Sequence, residues 1–186
     1  MTPVIDHLLG QGSPFLVLPA PSAMTPGAVA ERHGLDQSEL VWTELVITDD
    51  GPVATAVAAG RSIDLDQARA AVRDPSARLA THEEVRAFAQ GCEIGAVPPL
   101  SNYLGAPVIV DAPIASLEHI VFPAGVASVL VCMRREDLFA AEPVRVSAVS
   151  GDPEAAPLPT LSVVAPSRRA AFTGDEPLVP YHLRAG

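Results

Sequence analysis

Apolar positions in the first 150 residues recur at two periods, short helical stretches alternating with short strand-like runs. Val4, Ile5, Leu8 and Leu9 fall on one face of a helix over 2–10, and Phe15-Leu16-Val17-Leu18 follows as a buried strand. Thr25-Pro26 supplies an N-cap and a first-turn proline, so the next helix starts there, runs to about His33 and stops at Gly34. Residues 41–48 and 53–59 flank Asp49-Asp50-Gly51-Pro52, a turn sequence that joins them as a hairpin. Asp64, with Gln67 three residues on, opens a helix through Val72. Thr81-His82-Glu83-Glu84 is a capping box whose helix is predicted to end at Gly91. Strands are predicted over 107–111, 118–123 and 127–133, the last two separated by Ala124-Gly125. A short helix over 134–139 and a strand over 144–149 complete the pattern. The hairpins argue against a purely parallel, doubly wound sheet.

The pattern changes after Ser150. Residues 151–186 hold six prolines, with Leu161-Ser162-Val163-Val164 as a single strand-like run. The organisation expected is one domain over 1–150 and a Pro-rich C-terminal tail over 151–186, a composition that stays disordered or drapes over a domain. At 48% hydrophobic and 4% aromatic residues, the core must be aliphatic and rich in alanine. No apolar run approaches the roughly 18 residues that span a bilayer. The start, Met1-Thr2-Pro3-Val4-Ile5-Asp6, lacks the basic end and apolar centre of a signal peptide. A cytoplasmic protein without membrane association is expected.

Charge bears on partners. The net charge is −10, which opposes non-specific binding to nucleic acid, since that affinity comes largely from neutralised phosphates. All 12 basic residues are arginine, paired in sequence at Arg134-Arg135 and Arg168-Arg169, and a local arginine patch can act where the overall charge does not. Cys92 and Cys132 fit no zinc spacing and make no disulfide framework. Cys92 is a thiol to weigh as nucleophile, against a bystander role favoured by the lack of a neighbouring histidine. The histidines are too dispersed for a metal site, and no phosphate-cradling loop or dinucleotide fingerprint occurs. Neither a metal nor a cofactor is expected.

The segment Gly91-Cys92-Glu93-Ile94-Gly95-Ala96-Val97-Pro98-Pro99-Leu100 carries the clearest candidate chemistry. Gly95 allows backbone angles closed to other residues and a close ligand approach, while Pro98 and Pro99 fix their own φ. The residue before a proline is excluded from helical angles, so Val97 and Pro98 are expected to be extended. Gly95–Pro99 then forms a rigid wall whose peptide groups can face a ligand. Taken alone, the segment also fits a surface turn.

Six further stretches accompany it in order: Val41–Ile47, Gly60–Leu65, Arg78–Val85, Pro107–Asp111, Pro123–Gly125 and Arg135–Leu138. Together with the Gly95–Pro99 loop, they make the chain resemble the YbaK-type family, related to the editing insertion domain of bacterial prolyl-tRNA synthetases, over roughly residues 1–150. The resemblance implies an α+β fold, a mixed, mostly antiparallel sheet surrounded by helices. It implies a stand-alone hydrolase that deacylates mischarged aminoacyl-tRNA, often tRNA for proline bearing alanine or cysteine. It also implies that Gly95, with Ala96, Val97, Pro98 and Pro99, positions the substrate through backbone groups. The family's early-strand lysine, two residues before a leucine, is here Thr43 before Leu45, which puts Thr43 with Gly95 among the candidate catalytic residues. A small hydroxyl or glycine position before a Gly-Gly pair is here Pro123, followed by Ala124 and Gly125, so these three are candidate substrate contacts. Thr43 is equally explained as a β-branched strand residue. Asp111 is a further candidate, either orienting a catalytic group or capping the turn before Ala112-Pro113. Three readings follow: an editing deacylase with an altered pocket, a relative that binds tRNA, a synthetase or another protein without hydrolysis, and a small-molecule enzyme recruited from the same fold.

Overall fold

The computed structural model describes residues 2–21 and 25–151. Thr2 caps α1 (Pro3–Gln11), its hydroxyl accepting from the Ile5 amide, and Gly12 closes the helix in the left-handed conformation. β1 (Leu16–Pro19) follows. α2 (Pro26–His33) starts where Thr25 accepts from the Ala28 amide and stops at Gly34, as its sequence signals predict. β2 (Val41–Thr48) and β3 (Gly51–Ala58) form the expected hairpin, paired from Val41–Ala58 to Thr48–Gly51. Two residues, Asp49 and Asp50, suffice to reverse the chain, so Gly51 and Pro52 belong to β3 rather than to the turn.

β4 (Ser62–Ile63) precedes α3 (Leu65–Val72), which Asp64 caps by accepting from the Asp66 and Gln67 amides. After β5 (Arg78–Leu79) comes α4 (His82–Phe88), opened by the Thr81–Glu84 capping box. α4 ends at Phe88, short of the predicted Gly91, because Ala89 already leaves helical angles at ψ 60. A short helix absent from the sequence pattern, α5 (Ser101–Leu104), lies between the glycine loop and β6 (Val108–Asp111). β7 (His119–Pro123), β8 (Val129–Arg134) and α6 (Arg135–Ala141) fall close to their predicted positions. The predicted 144–149 strand is divided. β9 (Val144–Ser147) pairs with β6, whereas β10 (Ser150–Gly151) leaves it to pair with β4.

The fold is α+β with mixed sheets. In the five-stranded sheet, ordered β5-β2-β3-β6-β9, the first three strands are antiparallel and β3, β6 and β9 run parallel. A three-stranded antiparallel sheet, β1-β8-β7, packs against it, and a parallel bridge from Leu40 to Val121 joins the two. The main core lies between them. Val41, Leu45, Ala54, Ala56, Val108 and Val110 meet Ile120, Phe122, Val131 and Met133 there, with Val4, Ile5 and Leu8 of α1. Opposite faces form smaller clusters, one around Leu40, Val121 and Leu130, another around Val57, Ile109 and Val149. The proline-rich stretch beyond Gly151, with Leu161–Val164 and Arg168-Arg169, lies outside the described residues.

Candidate active site

Gly91 and Gly95 bend the chain after α4, with φ of 83° and 80°. Between them, Glu93 fastens the loop to the turn that joins β7 and β8. Its amide donates to the Gly125 carbonyl at 2.8 Å, its carboxylate accepts from the Ala127 amide at 2.8 Å, and its carbonyl accepts from Ala96 at 2.9 Å. Two stretches read separately in the sequence therefore make one unit. Glu93 was not legible as the fastener, and its place between the two glycines was the only local signal.

Gly95 is exposed, with open space where a side chain would stand. Ala96, Val97, Pro98, Pro99 and Leu100 are buried, so their side chains belong to the core while the glycine corner faces outward. Among the described residues, the amides of Gly95 and Val97 donate to no protein acceptor. The loop thus carries backbone N–H groups left free of protein acceptors among the described residues.

Thr43 lies on the same β2 face as Val41 and Leu45, directed into the main core, and its buried hydroxyl has no hydrogen-bond partner among the described residues. A parallel bridge pairs Leu40, just before β2, with Val121 in the middle of β7, and Thr43 and Ala124 each follow that bridge by three residues. Ala124 is buried on the core face shared by Ile120 and Phe122. Pro123 pairs with Leu130 and, by strand alternation, faces the second cluster instead. Pro123 and Ala124 therefore do not line one wall. Gly125 is a close-packing position. A Cβ there would stand 3.2 Å from Val4 Cγ2, 3.5 Å from the Gly91 carbonyl oxygen and 3.6 Å from Cys92 Sγ.

Asp111 is not brought to the loop. It shares the β6 face of Ile109, opposite to the face that Thr43 occupies. Its carboxylate accepts from the Val149 amide at 3.0 Å and from the Ser150 hydroxyl, bonds that pull the chain out of β9 and into β10. Cys92 is half-buried, 3.9 Å from the Tyr103 hydroxyl. Burial pushes its thiol up, only partly offset by that hydroxyl, so it is held as the neutral, poorly nucleophilic form. Burial likewise pushes the Tyr103 phenol up to about 12. Among the described residues no group of three or more His, Cys, Asp or Glu is disposed to hold a metal, and no helix is long and apolar enough to cross a membrane.

The model of the aminoacyl-tRNA editing domain matches residues 20–141. The chain belongs to that family. The matched span of this editing domain contains Thr43, the Gly95–Pro99 loop and the Pro123–Gly125 turn.

Solved structures share its fold. One, described as a candidate trans-editing enzyme for prolyl tRNA synthetase, is 23% identical, covering 81% of this chain and 99% of that one with a TM-score of 0.71. The hypothetical protein APE2540 is also 23% identical, over 80% of this chain and 99% of its own, with a TM-score of 0.70. A candidate signal transduction protein from Marinobacter aquaeolei VT8 is 19% identical over 82% of this chain but only 31% of its own, with a TM-score of 0.61. No curated protein matches the sequence.

Proposed function

We propose that this editing domain is a stand-alone trans-editing hydrolase that deacylates mischarged aminoacyl-tRNA at the Gly95 corner. The observation that carries the reading is the fastening of the Gly95 loop to the β7–β8 turn through Glu93, with the Gly95 amide at an open corner. An aminoacyl-tRNA ester is already activated and has a ribose hydroxyl beside it. Hydrolysis then requires mainly that the terminal adenosine be bound, the carbonyl held still and water admitted, work that positioning and preorganised N–H donors perform. In this reading the Gly95 amide addresses the substrate carbonyl, Pro98 and Pro99 hold the loop's shape, and Thr43 and Ala124 border the amino-acid pocket. Asp111 is given no part, because its oxygens are already engaged elsewhere.

Deacylation of a panel of mischarged tRNAs, starting with alanyl- and cysteinyl-tRNA for proline, tests the proposal. Hydrolysis above the spontaneous rate, lost when Gly95 is replaced by leucine, is expected. No hydrolysis across the panel would sink it. A second reading rests on Thr43, whose hydroxyl carries no charge where the resembled family has lysine. The domain would then bind tRNA, a synthetase or another protein without hydrolysing an ester. Loss of one ion-assisted hydrogen bond costs about 1.5–3 kcal/mol, roughly ten- to a hundredfold in rate. Thr43→Lys separates the two: increased deacylation marks an editor with an altered pocket, and unchanged inactivity marks a binding module.

A further inference from the structure

Behind the candidate loop stands a carboxylate that the proposed chemistry does not use. Glu142 follows α6 directly, and its side chain is 0% exposed. Burying a carboxylate is costly unless its lone pairs are satisfied, and here both oxygens are. Oε2 accepts from the Ser101 hydroxyl at 2.9 Å and from the Asn102 amide at 2.7 Å. Oε1 accepts from the Gln11 side-chain amide at 2.8 Å and lies 3.4 Å from His7 Nε2.

These partners sit on the two elements that frame the loop. Ser101 is the second residue after Pro99, at the point where the loop turns into α5. His7 and Gln11 belong to α1, whose Val4 backs Gly125 and whose Pro3 lies beside Gly91. One carboxylate thus joins the downstream end of the loop to the helix that supports its upstream end. We propose that Glu142 is a positioning residue that clamps the Gly95–Pro99 loop against α1, an inference resting on the reading of that loop as substrate-positioning.

The chemistry favours a carboxylate over its closest neutral analogue. Carboxylate is an acceptor on both oxygens, so it serves the loop pair and the α1 pair together. Glutamine has one accepting oxygen; kept toward Ser101 and Asn102, it leaves its NH2 group facing α1, where Gln11, whose own amide oxygen is buried, can turn to accept. Glu142→Gln therefore keeps the volume and removes the charge assistance from the bonds to Ser101 and Asn102.

The test compares full-length wild type, Glu142→Gln, Ser101→Ala and the double variant by amide hydrogen exchange and by steady-state deacylation. Glu142→Gln is expected to accelerate exchange over residues 93–103 and leave β2 and β3 unchanged. It should lower kcat about tenfold, for the lost charge assistance, with KM within about twofold. Ser101→Ala should act in the same direction more weakly, and the double variant should lose less than the two combined, because both act on a shared bond. A Glu142→Gln protein that melts at lower temperature, yet keeps wild-type exchange over 93–103 and wild-type kcat, would overturn the proposal and leave a satisfied core carboxylate. If Glu142→Gln does not fold, Ser101→Ala decides by the same two readouts. If wild type hydrolyses no aminoacyl-tRNA, the deacylase reading fails, and the exchange data still decide whether Glu142 holds the loop.

Discussion

Gly95 and Gly125 both have positive φ, 80° and 83°, but they are glycine for different reasons, and substitution should separate them. At Gly95 a Cβ meets nothing within 4 Å, so alanine there costs only the left-handed backbone, about 1–2 kcal/mol. At Gly125 the same backbone cost is joined by contact with Val4 at 3.2 Å, an overpacking that adds about 1–3 kcal/mol. Denaturant unfolding should rank Gly125→Ala well below Gly95→Ala in stability, and equal losses would refute the packing argument. For activity the order reverses on bulk: Gly95→Leu fills the open corner and should cost more than tenfold in kcat/KM beyond Gly95→Ala, about 1.4 kcal/mol or more in transition-state terms. Thr43 offers another split between stability and function. Its hydroxyl is buried without a partner among the described residues, so Thr43→Val removes an unmet desolvation cost and should raise stability by about 1 kcal/mol. If substrate uses that hydroxyl, deacylation should fall in the same variant. A protein both less stable and equally active would contradict the placement. These distinctions were not legible in sequence, because identical residue types serve open space at one position and van der Waals contact at another.

At the scale of elements, helix starts were the most legible feature. Thr25, Asp64 and Thr81 each cap the helix that follows, as read from sequence, since a side-chain oxygen accepting a nearby amide is a local event; Thr2, read as part of the first helix, is its cap. α4 also carries a pH signature. The Arg78 guanidinium bonded to Glu84, and the Thr81 amide with it, hold the Glu84 carboxyl down to about 2 from an ordinary 4.5. A depressed carboxylate stabilises the fold above its unfolded pKa, and that contribution is lost as pH falls through the folded value. Thermal melts of wild type and Glu84→Gln should therefore differ most at neutral pH and converge between about pH 4.5 and 2. A difference that is constant over that range would mean the ion pair adds nothing, as surface pairs often do. Helix ends and short elements were less legible. α5 is a single turn whose Asn102 amide is held by Glu142, forty residues away in sequence, and β10 forms because Asp111 draws Val149 and Ser150 aside. Neither bond has a local signature.

Among the described residues, the strands of the three sheets lie between Leu16 and Gly151, and the family match lies within that span. We propose that the tail beyond Gly151 is dispensable to the domain. A chain ending there should keep its melting temperature within about 4 °C of full length, roughly 1–2 kcal/mol at this size, and should keep its deacylation. A larger fall would make the tail part of the fold. The α+β class followed from the resemblance to the YbaK-type family, and the approximate order of elements was readable because caps, turns and hydrophobic periods report on a few neighbouring residues each. The Gly95–Pro99 loop was readable for the same reason, since glycine and proline restrict the backbone wherever they occur. Tertiary structure alone decided that Glu93 joins this loop to Gly125 and Ala127, that Asp111 faces away from it, and that Glu142 stands behind it. Strand pairing and parity fix which face a side chain takes, and long-range hydrogen bonds fix which loops meet. Both depend on partners that the order of residues does not name.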